Sequence, residues 1–500
     1  MKVHLLSADR DFDFSAEAIP EQEALVQDLE LDVVFSAMSQ GDPVLDQVAR
    51  QVVLHGLDSP DEIRYRQSVL SDFIGHPDLV GELYAICLDP IRARKGNWGI
   101  WGRTSTNPST ILAGSVRELE MFAGFLKQLR AVAEKYSDVV GSDGLTNFFW
   151  SLQSNLTEEY FDTIEEHLRR LRFRHGVLMS AVLGPDISGR DFVLVWPNQT
   201  KTTWRQRLGL GPKRGYSFTV PPRDDAASQS LENLRSRGVN LVANAVARSA
   251  DHVESYLAVL RAELAFYIGC LNLREALSLR GVPLCFPDPA PATPVQLQAT
   301  ALRDPILILR SKTDVFGNDV RTGGKQLVIV TGANSGGKST FLRSIGVAQL
   351  LMQCGCVVPA EAFRSSVCRG VFTHFIREED SSMERGRLDD ELARMSSLVD
   401  SLVPGSLLLC NESFASTNER EGSEIGRQVV RTFLESGVRV VYVTHQYDFA
   451  LSFTRSSETE SVLFLRAERD ADGSRSFKIA EHEPQPTSYG ADLYAKVFSE

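Results

Sequence analysis

One eight-residue stretch constrains the fold of this chain more than any other feature. Residues 332–339 read GANSGGKS, which matches the pattern G-x-x-x-x-G-K-[S/T]. A β-branched apolar run, 327–330, comes directly before it, and apolar residues at helical spacing follow it. A strand, a glycine-rich loop and a helix in this order bind phosphate, because the loop N–H groups and the helix N-terminus surround its oxygens. The stretch therefore predicts a nucleotide-binding α/β domain.

The same motif assigns chemical roles to its side chains. Lys338 is placed to reach the β- and γ-phosphates and is a catalytic candidate, while the Ser339 hydroxyl is placed to ligate Mg²⁺. The predicted nucleotide-binding residues are Gly332, Ala333, Asn334, Ser335, Gly336, Gly337, Lys338, Ser339 and Thr340.

Two later apolar runs, 407–409 and 438–443, indicate further buried strands, and a reactive side chain follows each. Glu412 follows the first run and is the candidate general base for an attacking water. Asn411 stands before it, where an aspartate usually supports Mg²⁺, and is the second predicted metal ligand although its amide is neutral. His445 follows the second run at the sheet edge that faces the ligand, so we expect it to contact the γ-phosphate.

The remaining sequence divides into three regions. Residues 1–105 have a helical pattern, and 106–285 are mostly helical, with one or two long amphipathic helices over 231–279. A proline-rich linker, 287–294, opens the third region, 286–500, where short apolar runs alternate with amphipathic helices. This alternation is typical of a mainly parallel sheet, so the predicted fold class is α plus α/β.

The net charge limits which partners suit this chain, and the cysteines indicate its cellular compartment. The net charge is −12, so only a local patch is able to attract nucleic acid. The seven cysteines are scattered, which is typical of reduced thiols in a cytoplasmic protein. The N-terminus lacks the apolar core of a signal peptide, and no apolar run approaches the roughly 20 residues that span a membrane. We therefore expect a cytoplasmic protein outside the membrane.

A basic loop at 196–218 is the predicted DNA-binding surface, because its cations suit phosphates and its aromatic rings suit exposed bases. A solvated loop is the alternative interpretation. Basic clusters at 169–175 and 92–103 are weaker candidates, the first of them facing nearby acids. The residues predicted to bind DNA are Lys201, Trp204, Arg205, Arg207, Lys213 and Arg214.

Several segments together resemble the ATPase domain of the MutS family of DNA mismatch-repair proteins. Residues 331–340 are similar to that family's TGPNxGGKST, 355–360 to its G-x-x-VPA segment, 443–445 to its ATH, and 487–490 to its SYG. Residues 57–67 resemble its helical core domain more weakly. The resemblance implies ATP and Mg²⁺ as cofactors and an ABC-type P-loop ATPase domain over 286–500, joined to a helical core and lever.

The resemblance also implies a homodimer in which each ATP lies between one subunit's phosphate loop and the other's signature segment. Leu388 stands where the family has a serine that reaches the partner's γ-phosphate, and 413–419 departs from the family's IGRGTST. The family's Phe-x-Glu mismatch-reading motif has no counterpart in a suitable N-terminal domain here. The expected signature residues are Ser382, Arg385, Gly386 and Arg387.

The expected function is that of a short, divergent MutS-like ATPase. ATP closes a dimer that holds duplex or branched DNA, and hydrolysis reopens it, in mismatch repair or in related repair or recombination. Asn411 and Leu388 leave an alternative open, a nucleotide-gated scaffold with little turnover. A second alternative is an ATPase that acts on a protein partner without DNA.

Overall fold

A computed structural model describes residues 2–93, 107–173, 176–186, 189–195, 219–221, 223–311, 313–332, 336–377, 386–454, 461–469 and 475–485. The chain divides into two compact units. The smaller unit comprises 1–3, 82–139 and 148–261, and the larger unit comprises 4–81, 140–147 and 262–500. This division differs from the three predicted regions, because residues 4–81 belong to the same unit as the C-terminal half. The predicted domain boundaries remain a prediction.

Helices account for most of the N-terminal half. Several helices of the chain begin after a polar residue whose side chain accepts a backbone N–H from the first turn. These residues include Asp42, Ser59, Asn107, Thr157 and Asn418. The helices of the described residues are α1 (Gln22–Asp28), α2 (Asp32–Ser39), α3 (Pro43–Leu54), α4 (Pro60–Gly75), α5 (Pro77–Ala93), α6 (Pro108–Tyr136), α7 (Asp143–Asn155), α8 (Glu158–Leu171), α9 (Asp225–Ser278), α10 (Pro305–Arg310), α11 (Lys338–Gln353), α12 (Arg387–Ser401), α13 (Glu419–Glu435) and α14 (Tyr447–Thr454).

The long helix predicted over 231–279 is confirmed as the single helix α9, which has 54 residues. Gly238 lies in this helix, and a Cβ there would stand 1.8 Å from the Met179 sulfur, so a larger residue would require the Met179 side chain to move. Among the described helices, α9 alone is long and apolar enough to cross a membrane by length and composition, and 61% of its most apolar window is buried. A core helix of a soluble protein has the same properties, so this is weak evidence for a span.

The smaller unit also contains an antiparallel hairpin that the mainly helical prediction for 106–285 missed. Strand β1 (Met179–Leu183) pairs with β2 (Gly189–Leu194), and most of their side chains are exposed. Segments of five and six residues are too short for periodicity to separate strand from helix, which explains the error. Elsewhere in this unit, the buried residues Leu112, Val116 and Leu168 form an apolar cluster with α9.

The larger unit is built around a six-stranded sheet in the order β12-β11-β6-β10-β9-β8. All neighbours in it are parallel except β11 and β12. A four-stranded sheet, in the order β3-β7-β4-β5, accompanies it. The strands from β3 onward are β3 (Asp288–Ala290), β4 (Leu297–Leu302), β5 (Asn318–Arg321), β6 (Leu327–Thr331), β7 (Ala362–Ser366), β8 (Val371–Phe375), β9 (Leu407–Asn411), β10 (Arg439–Val443), β11 (Val462–Arg469) and β12 (Arg475–Glu481).

The predicted strands at 327–330, 407–409 and 438–443 are confirmed as β6, β9 and β10. Nearly every residue of these strands is buried, as expected for central parallel strands covered on both faces. Gly437 lies between the end of α13 and β10 with φ +74°, a conformation that glycine adopts readily after a helix. The mainly parallel α/β architecture of the C-terminal region is therefore present.

Candidate functional site

Three central strands end at the same edge of the large sheet. Val443 of β10 is in register with Val330 of β6 on one side and with Asn411 of β9 on the other. The segments that follow these strands carry the phosphate loop, Glu412 and His445. Parallel strands bring their carboxyl ends together, and open α/β sheets bind ligands at that edge. Topology thus assembles three motifs that are far apart in sequence.

The two ends of the phosphate loop require glycine. Gly332 has φ +115°, and a Cβ there would stand 3.0 Å from the backbone nitrogen of Ala467. Gly337 has φ +88° and is the N-cap of α11, which begins at Lys338. Gly336, Ser339 and Thr340 also lie at this helix start. Ala333, Asn334 and Ser335 lie outside the described residues.

Lys338 is buried between the loop and the predicted base. Its side chain is 5% exposed, its Nζ donates to the Gly332 carbonyl at 2.9 Å, and the same Nζ lies 3.8 Å from Glu412 Oε1. Burial lowers the pKa of Lys338, while the Glu412 carboxylate raises it. The structure therefore brings two of the three predicted catalytic residues together.

Glu412 also contacts the third predicted catalytic residue. Its Oε2 accepts the backbone N–H of His445 at 3.1 Å and lies 2.7 Å from His445 Nδ1. The hydrogen bond to Glu412 raises the pKa of His445, since it favours the protonated ring. Glu412 has φ +54°, an uncommon conformation for a residue with a side chain. Such conformations persist where the surroundings hold them, often at functional sites.

The two predicted metal ligands are adjacent. Ser339 Oγ donates to Asn411 Oδ1 at 2.8 Å, which places a hydroxyl and an amide oxygen side by side at the start of α11. Oxygen donors of this kind suit Mg²⁺, which takes few protein ligands and keeps several waters. These residues fit the ion, although the pair brings no negative charge of its own.

A cavity of about 720 Å³ opens beside these groups and is lined by Gly336, Lys338 and Glu412. It is also lined by Phe316 and Phe477, whose rings stack with centroids 6.0 Å apart and planes inclined by 22°. Both rings are substantially exposed, at 55% and 41%. An exposed aromatic pair beside a phosphate loop suits stacking on a planar base. No sequence pattern indicates this pair, because the two residues lie in unrelated polar segments.

Comparisons with known proteins agree with this geometry. The family model described as MutS2 N-terminal domain matches residues 58–280, and that described as MutS domain V matches 328–498. The DNA mismatch repair protein MutS of Chloroflexus aurantiacus is 27% identical over 223 residues, which are 44% of this chain and 23% of that protein. The chain belongs to the MutS family.

Further MutS-family relatives match shorter parts of the chain. The Endonuclease MutS2 of Thermomicrobium roseum is 26% identical over 206 residues, covering 40% of this chain and 26% of that protein. The DNA mismatch repair protein Msh6 of Gallus gallus is 30% identical over 191 residues, covering 35% of this chain and 14% of that protein. The chain thus spans about a quarter or less of the length of these relatives.

The expected MutS signature segment is only partly described. Gly386 is the N-cap of α12 and Arg387 begins this helix, whereas Ser382 and Arg385 lie outside the described residues. Leu388, which replaces the family's serine, packs against the apolar core below the sheet. In this structure Leu388 therefore serves packing, and its side chain has no hydroxyl to offer a partner's nucleotide.

The predicted DNA-binding loop falls outside the part of the chain that the structure describes. This holds for all of its named residues, Lys201, Trp204, Arg205, Arg207, Lys213 and Arg214. In the weaker cluster at 169–175, Arg170 pairs with Glu166 and Arg172 with Glu120, so these cations are partly neutralised as expected.

Proposed function

We propose that this chain is a MutS-type DNA-binding ATPase that converts ATP and water to ADP and phosphate. One observation carries the proposal: the Glu412 carboxylate stands between Lys338 Nζ and His445 Nδ1 at a cavity lined by the phosphate loop. A carboxylate beside a phosphate-binding cation is placed to orient a water for attack on the terminal phosphate. The mismatch-repair names of the relatives support the same activity class.

Each polar group of the site has one role in this mechanism. The phosphate-loop N–H groups and Lys338 bind the phosphates, and Lys338 leaves Glu412 for the γ-phosphate when the nucleotide enters. Ser339 and Asn411 would hold Mg²⁺, which would neutralise phosphate charge when bound. Phe316 and Phe477 stack against the base and orient the nucleotide along the cavity.

Glu412 and His445 act on the water. The Glu412 carboxylate orients it and takes its proton, and the His445 backbone N–H and ring fix the carboxylate's direction. His445 carries a positive charge more readily because of this contact, so it also suits the predicted contact with the γ-phosphate. Removal of the terminal phosphate then changes the charge that His445 faces.

The ATPase works in a homodimer that holds duplex or branched DNA, in mismatch repair or related repair, in the cytoplasm. Gly386 and Arg387, with Ser382 and Arg385, complete the partner's nucleotide site. ATP binding closes the dimer and hydrolysis reopens it. The family membership and the DNA-related names of the relatives support this part of the proposal.

Steady-state phosphate release by the purified chain, with and without duplex and branched DNA, tests the proposal. Glu412→Gln should lower kcat about 10²- to 10⁴-fold while nucleotide affinity is kept. Glu435→Gln, at an exposed glutamate of α13, is the matched control and should leave kcat unchanged. Equal rates in wild type and Glu412→Gln, with ATP still bound, would favour the nucleotide-gated scaffold.

The DNA part is tested separately. Alanine at Lys201, Arg205, Lys213 and Arg214 should weaken DNA binding and flatten its dependence on salt, by roughly one unit of slope for each phosphate that is no longer neutralised. An unchanged salt slope would remove the loop from the DNA surface. Turnover without any DNA affinity would favour an ATPase that acts on a protein partner.

A further inference from the structure

The four residues after Glu412, which we call the 413–416 turn, are held from the side of β10. Tyr442 donates its hydroxyl hydrogen to the Ser413 carbonyl at 2.7 Å, and Gln446 Nε2 donates to the Phe414 carbonyl at 3.2 Å. Phe414 has φ +60°, so the turn contains a second left-handed residue just beyond Glu412. Non-glycine residues keep this conformation only when neighbouring contacts impose it. The direction of the Glu412 carboxylate therefore depends on the bonds that hold the turn.

A buried histidine holds the turn from the other side. His374 of β8 is fully buried, with Nε2 3.1 Å from the Glu391 carbonyl and Nδ1 2.8 Å from Ser413 Oγ. A carbonyl only accepts, so Nε2 carries the proton and Nδ1 is left as an acceptor. The single Ser413 hydroxyl hydrogen then faces two acceptors of His374, the ring Nδ1 and the backbone carbonyl, each 2.8 Å from Ser413 Oγ. Burial lowers the pKa of His374 to about 4, which keeps the ring neutral at pH 7. The ring thus joins α12, through Glu391, to the turn.

Glu391 makes a second connection between the same two elements. Its side chain is 2% exposed, and Oε1 accepts a hydrogen bond from Ser416 Oγ. Oε2 is buried and has no hydrogen-bond partner among the described residues. A buried carboxylate with an unmet oxygen costs stability that an apolar residue would not. Packing alone therefore does not account for a glutamate at this position.

We infer that His374 and Glu391 are positioning residues that tie the start of α12 to the 413–416 turn and so set the direction of the Glu412 carboxylate. Helix α12 begins at Gly386–Arg387, where the partner's nucleotide would be met. A shift of the first turns of α12 therefore moves the 413–416 turn through both connections and reorients Glu412. The base then responds to whatever contacts the start of α12. This inference rests on the proposed function in taking Glu412 as the base.

Three serine variants separate positioning from simple stability. Ser413→Ala and Ser416→Ala each remove one connection, whereas Ser365→Ala removes a buried hydroxyl that donates to Gln349 Oε1 at 2.7 Å, outside the turn. Ser413→Ala and Ser416→Ala should each lower kcat roughly tenfold through misplacement of the base, with the Kd for ATP changed less than about twofold. Ser365→Ala should leave kcat unchanged. An equal loss of kcat in Ser365→Ala would overturn the inference.

A second set of variants tests the path through Glu412. Combined with Glu412→Gln, neither serine change should lower the residual rate further, because the group it positions is gone. Glu391→Gln keeps an oxygen that accepts from Ser416 and should retain kcat, while Glu391→Leu should lose it as Ser416→Ala does. Additive losses in the double variants would contradict the inference.

Amide hydrogen exchange provides a readout that needs no turnover. His374→Gln and Glu391→Leu should each speed exchange at 412–416, since both connections restrain this backbone, and Ser365→Ala should not. If the wild type fails to hydrolyse ATP, the proposed function falls, and exchange at 412–416 still decides the connection. Unchanged exchange in both variants would show that α12 and the turn are independent.

Discussion

Two glutamates of the larger unit occupy contrasting surroundings. Glu263 of α9 is fully buried, and its carboxylate accepts backbone N–H groups from Leu5 at 2.7 Å, Leu6 at 3.1 Å and Phe12 at 2.9 Å. Glu412 keeps 19% of its side chain exposed, and its carboxylate lies beside the side chains of Lys338 and His445 and accepts one backbone N–H, that of His445. The backbone alone thus satisfies the Glu263 carboxylate, whereas the Glu412 carboxylate is bonded mainly by side chains that a ligand can displace.

The difference separates a structural role from a chemical one. Burial raises the pKa of Glu263 to about 7, although its N–H donors favour the charged form. Its contacts tether the N-terminal segment to α9 and leave nothing for a ligand. Glu412 is held in a strained conformation beside a cation and a histidine, at a sheet edge where ligands bind. The groups that bond to a carboxylate therefore indicate its role better than its burial does.

The largest effect on stability is expected from Glu263→Ala. It leaves the N–H groups of Leu5, Leu6 and Phe12 without an acceptor, so the free energy of unfolding should fall by about 3 kcal/mol or more. Urea denaturation measures this, with Glu23→Ala at an exposed position of α1 as the control. A loss no greater than that of the control would remove the structural role of Glu263.

A change of stability with pH, similar in size to the effect of Glu263→Ala, is expected from His374. This residue is as fully buried as Glu263, although it adjoins the candidate site. The unfolded ring gains a proton below pH 6.5, and the folded ring resists it until about pH 4. Stability should therefore fall as pH drops through this window, by about 3 kcal/mol in total. Urea denaturation of wild type and His374→Gln at pH 7, 6, 5 and 4 isolates the contribution of His374, which is the difference between their midpoints. If the midpoints of wild type and His374→Gln change in parallel with pH, His374 is not buried as a neutral ring.

Glu412→Gly should change stability by less than about 1 kcal/mol, in contrast to Glu263→Ala. Glycine relieves the left-handed backbone at this position. This gain opposes the loss of the His445 contacts and of the pairing with Lys338, whose Nζ keeps its hydrogen bond to the Gly332 carbonyl. The same urea experiment measures it. A loss as large as that of Glu263→Ala would end the distinction between the two glutamates.

The smallest effect is a change in the titration of His445. Glu412→Gln removes the carboxylate that raises the pKa of His445, so this pKa should move down toward the ordinary 6.5. Ring proton shifts in NMR follow it, and Glu435→Gln should leave the titration as in the wild type. An unaltered pKa in Glu412→Gln would mean that the 2.7 Å contact is absent in solution.

Local pattern was enough to predict the strands and the helix that surround the candidate site. The phosphate loop, its flanking strand and helix, and the positions of Glu412 and His445 after buried strands all follow from short, continuous stretches of sequence. Parallel pairing brings such strand ends together, which is why Lys338, Glu412 and His445 meet although they lie far apart in the chain.

The sequence by itself determined which segments form strands and helices around the nucleotide site, because hydrophobic periodicity and glycine conformations act within a few residues. Only the tertiary structure decided that Phe316 stacks with Phe477, that His374 joins Ser413 to Glu391, and that the β1–β2 hairpin forms. These contacts join residues far apart in the chain or rest on runs too short to show a period. Their partners are chosen by packing in three dimensions, and no pattern along the chain records that choice.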